Sequence, residues 1–200
     1  MNFIKKSFLV GLLALLVTGC NSSDDISKQS TAVQIDTKDI DGKEFNLYKS
    51  LDNAPVVLVF YRGGWCPYCN VQLRELQANV LPTVNKMGAK LVAISVDKPD
   101  EALKTKDQNT LGMILLSDSD AKILKDYKVD YKVPMELVNK YKNNYKIDIE
   151  KASGNKNHII AIPAVYVIGQ DKKIKFEYID ENYKVRAQTE DILKALKSLK

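Results

Sequence analysis

The stretch "VVLVFYRGGWCPYC", residues 56–69, places a continuous apolar run just before two cysteines that are two residues apart. Such a run without alternation is typical of a strand that is buried on both faces of a sheet. From Cys66 onward the apolar residues recur at helical spacing, so both cysteines fall where a strand gives way to a helix. Because chemistry in α/β sheets collects at the carboxyl ends of strands and at helix N-termini, this junction is the candidate site.

Strand and helix signals alternate along the rest of the chain. A short hairpin is predicted around "DIDGK", two further buried strands at "KLVAISV" and "MILLSD", and a late hairpin at "IPAVYVI" and "KIKFEYI" before a last helix. The helix after Cys66 is expected to kink at Pro82. The polar segment 133–159 is predicted to be an insertion over the surface. This order predicts an α/β sandwich, with a central mixed sheet flanked by helices.

The N-terminus has the features of a secretory signal peptide, with a basic start, an apolar core and small residues before a cysteine. We assign residues 1–19 to the signal peptide, residues 20–32 to a lipidated Cys20 with a flexible tether, and residues 33–200 to one domain. The stretch "VTGC" resembles the bacterial lipobox, which implies a lipoprotein that is anchored in the cell envelope, on either the inner or the outer membrane. Cleavage that leaves a free N-terminal thiol is the alternative. A retained membrane-spanning helix is not expected, because the apolar run is shorter than the ~20 residues that a bilayer needs.

The charge balance argues against a nucleic-acid partner. The net charge of the whole chain is +5, and removal of the signal peptide with Lys5 and Lys6 leaves +3. Nucleic-acid-binding domains are usually far more basic than this.

The number of cysteines limits what the pair can do. With Cys20 lipidated, only Cys66 and Cys69 remain, and in an oxidising compartment they stay reduced only if a donor keeps reducing them. A closed zinc site would need two further ligands, and the only histidine, His158, is far along the chain beside a predicted strand. We therefore expect no metal and no cofactor, and a redox role for the pair.

A physical mechanism supports this role. A cysteine in the first turn of a helix faces unpaired N–H groups and the positive end of the helix dipole, which lower its pKa. Arg62 is near enough in sequence to add a positive charge, and a second thiol one turn later can close a disulfide with little rearrangement.

The chain resembles the thioredoxin fold, and more closely the peroxiredoxin-like proteins of the AhpC/TSA group. The likeness runs in order through "DGKEFNL", "VVLVFYRGGWCPYC", "LLSDSDAKILKDY", "VPMELVNKY", "IPAVYVIGQDKKIKF" and "YKVRAQTEDILKAL", over roughly residues 33–197. It implies a thioredoxin-like sandwich. Pro163 falls where thioredoxin-fold proteins carry a cis-proline that faces the cysteines, an ordinary trans proline being the alternative.

The two patterns disagree about the attacking sulfur. On the thioredoxin pattern Cys66 attacks and Cys69 resolves, whereas on the peroxiredoxin pattern Cys69 takes the peroxidatic position. On that second pattern Arg62 replaces a proline and Cys66 a threonine, which puts efficient peroxidase activity in question. We favour Cys66, because we expect it to be exposed and at the helix terminus.

The resemblance implies a thiol-dependent peroxidase, which reduces hydroperoxides and is reduced again by a thioredoxin-like electron donor. Two alternatives stay open: a thiol-disulfide oxidoreductase of the envelope that acts on a disulfide substrate, and a non-catalytic lipoprotein with a structural disulfide. Arg186 matches an arginine common in the group and is expected either to steady a thiolate or an oxyanion or to form a surface ion pair. Trp65 and Tyr68 flank the sulfurs and are expected to form a substrate or partner surface, or to pack on the helix start.

Overall fold

The computed structural model describes residues 30–199. The predicted signal peptide, Cys20 and most of the predicted tether lie outside these residues, so the lipid anchor stays a prediction. Within residues 30–199, no helix has both the length and the apolar character that a bilayer-spanning segment requires.

The elements follow one another as the sequence predicts, with extra short ones between them. In chain order they are β1 (Asp36–Lys38), β2 (Glu44–Asn46), α1 (Leu47–Leu51), β3 (Val56–Phe60), α2 (Pro67–Asn79), α3 (Leu81–Lys86), β4 (Lys90–Ser95), α4 (Pro99–Gln108), β5 (Ile114–Ser117), α5 (Lys122–Asp126), β6 (Asp130–Lys132), α6 (Met135–Asn144), α7 (Ile149–Ser153), β7 (Ile159–Ala161), β8 (Ala164–Ile168), β9 (Ile174–Ile179) and α8 (Thr189–Lys197).

The central sheet has five strands in the order β5-β4-β3-β8-β9. The pairs β3–β4 and β4–β5 are parallel, and the pairs β3–β8 and β8–β9 are antiparallel, so the sheet is mixed as predicted. The strand β3 lies in the middle, with every residue buried. Its carboxyl end therefore delivers the cysteine motif to the centre of one sheet edge.

Apolar side chains fill a core on each face of the sheet. Val56, Leu58 and Phe60 of β3 point into one core, while Val57 and Val59 point into the other. This alternation follows from the two-residue period of a strand. The helices α2, α3 and α8 cover the second core, and α1, α5, α6 and α7 cover the first. The predicted α/β sandwich is confirmed.

The helix after the cysteines is interrupted rather than simply kinked. It ends at Asn79, and α3 begins at Leu81 with Pro82 in its first turn. A proline inside a helix lacks the N–H donor and clashes with the preceding turn, whereas its fixed φ suits a helix start. The residue responsible was identified correctly from the sequence.

The predicted insertion packs against the core of the domain instead of only lying over its surface. Its two helices, α6 and α7, bury Val138 and Ile149 against the core, and β6 pairs with β7 at its base. The apolar periodicity of α6 is weak, because only one of its residues is buried, and the sequence pattern therefore did not indicate this packing. As a result α6 reaches the cysteine motif.

Candidate active site

Two glycines shape the turn between β3 and α2. Gly63 has φ +148°, and a Cβ there would lie 2.3 Å from Trp65 Nε1. A Cβ on Gly64 would lie 1.9 Å from Thr105 Oγ1. The turn closes when the Cys66 N–H donates to the Gly63 carbonyl at 3.0 Å. Only glycine allows this close approach, and the result is a fixed backbone just ahead of the first sulfur.

Cys66 is the N-cap residue of α2, directly before Pro67 at the first helical position. Its carbonyl accepts the N–H groups of Cys69 and Asn70, both at 3.1 Å. Donation of the Cys69 thiol to the Cys66 sulfur lowers the pKa of Cys66 to about 6, against the effect of burial, and the charges of Arg62 and Arg186 act in the same direction. At neutral pH Cys66 is therefore largely a thiolate.

Cys69 lies one turn later and has the opposite character. Burial raises its pKa well above the ordinary thiol range, and the proton that it donates to Cys66 adds to this effect. The Nη2 group of Arg186 lies 3.6 Å from the Cys69 sulfur. Both sulfurs are free thiols in the structure rather than a disulfide. The pair thus holds one proton between two sulfurs, with the negative charge on Cys66.

The expected exposure of Cys66 is wrong. Cys66 is 1% exposed and Cys69 is fully buried, because α2, β8 and α8 close over the junction. Of the two arguments that favoured Cys66, the helix terminus holds and exposure does not. A substrate must therefore displace the side chains that cover the sulfur before it can react.

Arg62 is buried in a cage of aromatic rings. Its guanidinium carbon lies 4.1 Å from the ring centroid of Tyr183, 5.1 Å from that of Trp65 and 5.8 Å from that of Tyr141. Its Nη2 donates to the Tyr141 hydroxyl at 2.6 Å. Cation–π contacts hold a desolvated guanidinium in place, so Arg62 has a fixed position near Cys66.

The cage also borders a cavity of about 330 Å³. Tyr141 comes from α6, a segment that the sequence did not link to the site, and Tyr183 from the loop after β9, of which only Arg186 was expected at the site. Both tyrosines belong to the Tyr-Lys dipeptides that occur six times in the sequence, a pattern that also fits exposed helix faces. The cavity is lined by Arg62, Tyr131, Leu137, Tyr141, Ile160, Ala161, Ile162, Pro163, Glu181 and Tyr183.

The sequence left two roles open for Trp65 and Tyr68, and the two residues have different surroundings in the structure. Trp65 is half-buried and packs on Tyr141, with 5.9 Å between ring centroids. Tyr68 is 44% exposed and meets the edge of Tyr183 at 5.8 Å. Trp65 therefore packs on α6, and Tyr68 is available at the surface.

The cis peptide bond expected at Pro163 is wrong, since residues 30–199 contain no cis bond. Pro163 is buried immediately before β8, and the N–H of Ile162 donates to the Val129 carbonyl at 2.7 Å. Pro163 still lines the cavity beside Arg62.

Asp97 is a site residue that sequence reasoning missed. It follows β4, is 1% exposed, and its Oδ2 accepts the Gly64 N–H at 2.7 Å. A polar residue just after a buried parallel strand was the available signal, because β3 and β4 end at the same sheet edge. His158, in contrast, lies against Glu150, with 2.7 Å between Nε2 and Oε1.

Comparisons with known proteins identify the family to which the chain belongs. The model of the AhpC/TSA family matches residues 29–177. The chain belongs to the AhpC/TSA family. Peroxiredoxin Bcp of Escherichia coli K12 is 31% identical over 91 residues, which are 46% of this chain and 57% of that protein. A putative peroxiredoxin bcp of Helicobacter pylori J99 is 34% identical over 91 residues, 46% of this chain and 59% of that protein.

The aligned part of the chain thus spans less than two thirds of the length of these curated AhpC/TSA relatives. Among solved structures, peroxidoxin BcpB of Mycobacterium tuberculosis superposes with a TM-score of 0.67 at 18% identity, over 86% of this chain and 97% of that chain. This likeness confirms the thioredoxin-like fold predicted from the sequence.

Proposed function

We propose that this protein is a thiol-dependent peroxidase that reduces hydroperoxides through Cys66 and Cys69. The observation that carries the proposal is the asymmetry of the pair, in which Cys66 has a pKa of about 6 and Cys69 holds the proton. The thiolate is the nucleophilic form of cysteine. Membership in a family whose curated relatives are named peroxiredoxins supports a peroxide as the substrate.

Each step of the proposed cycle uses a group near the pair. The Cys66 thiolate attacks one peroxide oxygen, the O–O bond breaks, and the sulfur becomes a sulfenic acid while the leaving oxygen takes a proton. The Cys69 thiol then attacks the Cys66 sulfur and releases water, which leaves a disulfide. Arg186 and Arg62 offset negative charge on the sulfurs and on the leaving oxygen. An external dithiol of the thioredoxin type restores both thiols by exchange.

A second function has its own support. The lower pKa belongs to the first cysteine of the motif, the one that caps the helix after Trp65. This is the attacking position of the thioredoxin pattern, so a protein disulfide is the alternative substrate. The same thiolate would form a mixed disulfide that Cys69 resolves.

We further propose that the mature protein is attached to the bacterial envelope by a lipid on Cys20. The support is the sequence alone, with its basic start, apolar core and the lipobox-like "VTGC". Mass spectrometry of the N-terminal peptide from cells tests this, and replacement of Cys20 by serine should release the protein from the membrane fraction.

Rapid mixing of the reduced soluble chain, starting at Asn21, with hydrogen peroxide tests the main proposal. Trp65 is the only tryptophan and adjoins Cys66, so its fluorescence should report the oxidation. We expect a rate many orders of magnitude above that of free cysteine. A rate equal to that of free cysteine, together with fast reduction of a protein disulfide, would replace the peroxidase by the oxidoreductase.

A further inference from the structure

A buried carboxyl lies beside the cysteine pair and the proposed cycle does not yet use it. Asp97 is 1% exposed; its Oδ2 accepts the Gly64 N–H at 2.7 Å, while its Oδ1 has no hydrogen-bond partner within residues 30–199. Gly64 lies two residues before Cys66, so Asp97 fixes the turn that presents the sulfur. Burial of a carboxylate is energetically costly when one of its oxygens accepts no hydrogen bond, unless the group holds a proton.

Oδ1 of Asp97 is one of three buried side-chain atoms in residues 30–199 that lack a regular hydrogen bond. Among the described residues, the buried side-chain atoms without a partner are the hydroxyl of Tyr61, Oδ1 of Asp97 and Nε of Arg186. Tyr61 is fully buried, and the charges of Asp97 and Cys69 both raise its pKa, which places the ring near both groups. Buried polar atoms almost always find partners. The Ser95 hydroxyl lowers the pKa of both Tyr61 and Asp97, so these two groups lie close to a third polar side chain without a regular hydrogen bond to it.

A cavity connects this carboxyl to the surface. It has a volume of about 580 Å³, lies between α4 and the α6–α7 insertion, and includes Gly64, Trp65 and Asp97 in its wall. Its charged lining consists of Glu101 and Lys104 on α4, Lys142 on α6, Lys146 and Asp148 on the connection, and Lys151 on α7. Protons can therefore travel between solvent and an otherwise enclosed group.

The charges of Asp97 and Cys66 compete with each other. Burial raises the pKa of Asp97 to about 7, against the Gly64 N–H and the Ser95 hydroxyl, and the negative charges of Glu101 and Cys66 act in the same direction as burial. The pKa of Cys66 is about 6. Between these values Cys66 is a thiolate while Asp97 keeps its proton, because two adjacent negative charges are disfavoured.

We infer that Asp97 stores the proton that oxidation of Cys66 consumes, stays ionised while the pair is oxidised, and recovers the proton from solvent through this cavity when reduction restores the Cys66 thiolate. The inference rests on the proposed peroxidase function. The Cys66 thiolate and hydrogen peroxide give a sulfenic acid and hydroxide, and hydroxide takes the Asp97 proton to form water, which leaves a carboxylate. The sulfur loses two electrons and the peroxide gains them. Asp97 acts as a positioning residue through Gly64 and as the local proton source.

Infrared difference spectroscopy tests this inference directly. Spectra of the reduced and oxidised chain are compared near neutral pH, with carbon-13-labelled aspartate to identify aspartic acid bands. Oxidation by hydrogen peroxide is compared with oxidation by the disulfide form of dithiothreitol, which requires no peroxidase activity. We expect a protonated carboxyl band that weakens on oxidation, is absent in Asp97→Asn and persists in Asp118→Asn. Asp118 is a matched control, since it is also buried with a raised pKa but caps α5.

The pH profile of Cys66 oxidation gives a second readout. We expect the rate in the wild type to rise through the thiolate pKa and fall as Asp97 ionises. Asp97→Asn should keep the rising limb alone, with a maximum about tenfold lower, since the loss of one general acid commonly costs at least that factor. A merely structural Asp97 would leave the falling limb in place, because asparagine retains an oxygen to accept the Gly64 N–H.

The outcomes separate the inference from the proposed function. An unchanged carboxyl band, with rapid oxidation by peroxide, would overturn the proton store and leave the peroxidase intact. A band that weakens only with the dithiothreitol disulfide, and no reaction with peroxide, would retain the proton exchange at Asp97 and reject the peroxidase. If Asp97→Asn does not fold, the labelled wild type and Asp118→Asn still decide the question.

Discussion

Arg186 and Cys69 are 117 residues apart in the chain, yet Nη2 of the guanidinium lies 3.6 Å from the buried sulfur. The contact joins the loop before α8 to the first turn of α2. The Nη1 group also donates to the carbonyls of Tyr183 and Val185, so the guanidinium is held in place by its own loop. A fixed positive charge at the base of the thiol pair follows from this arrangement.

Replacement of Arg186 by methionine should weaken the thiolate. Its charge lowers the pKa of both cysteines, so its loss should raise the pKa of Cys66, and a rise of one pKa unit corresponds to about a tenfold loss of thiolate at pH values below that pKa. The ultraviolet absorbance of the thiolate against pH measures this. Arg74→Met is the control, because Arg74 is also on α2 but donates to Asn109 at 2.6 Å. Equal titration curves for both variants would contradict the role of Arg186.

Single cysteine variants should separate attack from resolution. Cys69→Ser should still be oxidised by peroxide and accumulate a sulfenic acid that dimedone traps, since the thiolate at Cys66 is retained. Cys66→Ser should lose the fast reaction by orders of magnitude, because the pKa of Cys69 is raised by burial. Stopped-flow fluorescence of Trp65 and mass spectrometry of the trapped adduct measure the two effects. The reverse pattern would make Cys69 the attacking residue.

Replacement of Arg62 by methionine should affect the site in two ways. The pKa of Cys66 should rise, and the free energy of unfolding should fall by about 1–2 kcal/mol, since desolvated cation–π contacts are worth roughly this much. Thiolate titration and urea unfolding measure the two effects separately. The variant Tyr141→Phe is the control, as it removes the 2.6 Å hydrogen bond and keeps the ring. A fall in stability as large in Tyr141→Phe would assign the effect to that hydrogen bond.

The fold was largely predictable because its signals are local. The run that forms β3 and the helical spacing after Cys66 identify the buried strand and the helix that carries the cysteines from residue types alone. The pairing of β4 beside β3 agrees with the tendency of consecutive strands to lie next to each other. The position of the site at the carboxyl end of β3 needed nothing more.

The remainder of the site depends on long-range packing, which no local pattern records. Tyr141 meets Arg62 only because α6 folds back over the motif, and weak periodicity in α6 gave no indication of it. Burial of Cys66 depends on several distant elements, so its exposure was predicted wrongly. Pro163 was expected to be cis from its position in the resemblance, and the peptide bond before it is trans in the structure.

The pH dependence of stability should reveal Asp97. Its pKa rises from 3.8 to about 7 on folding, so the folded state binds the proton more tightly than the unfolded state. The resulting stabilisation is complete below the unfolded pKa and is lost as pH rises through about 7. Each pKa unit corresponds to about 1.4 kcal/mol, so the loss amounts to at most about 4 kcal/mol.

Asp97→Asn cannot ionise and should not show this loss. Relative to the reduced wild type, its free energy of unfolding should therefore increase steadily between pH 4 and pH 8, whatever the difference between the two proteins at low pH. Urea unfolding across that range measures the change. Asp118, whose pKa rises to about 6 on folding, contributes equally to both proteins and cancels in the comparison. Parallel stability curves for the wild type and Asp97→Asn would mean that the Asp97 carboxyl is ionised in the folded protein as readily as in the unfolded chain.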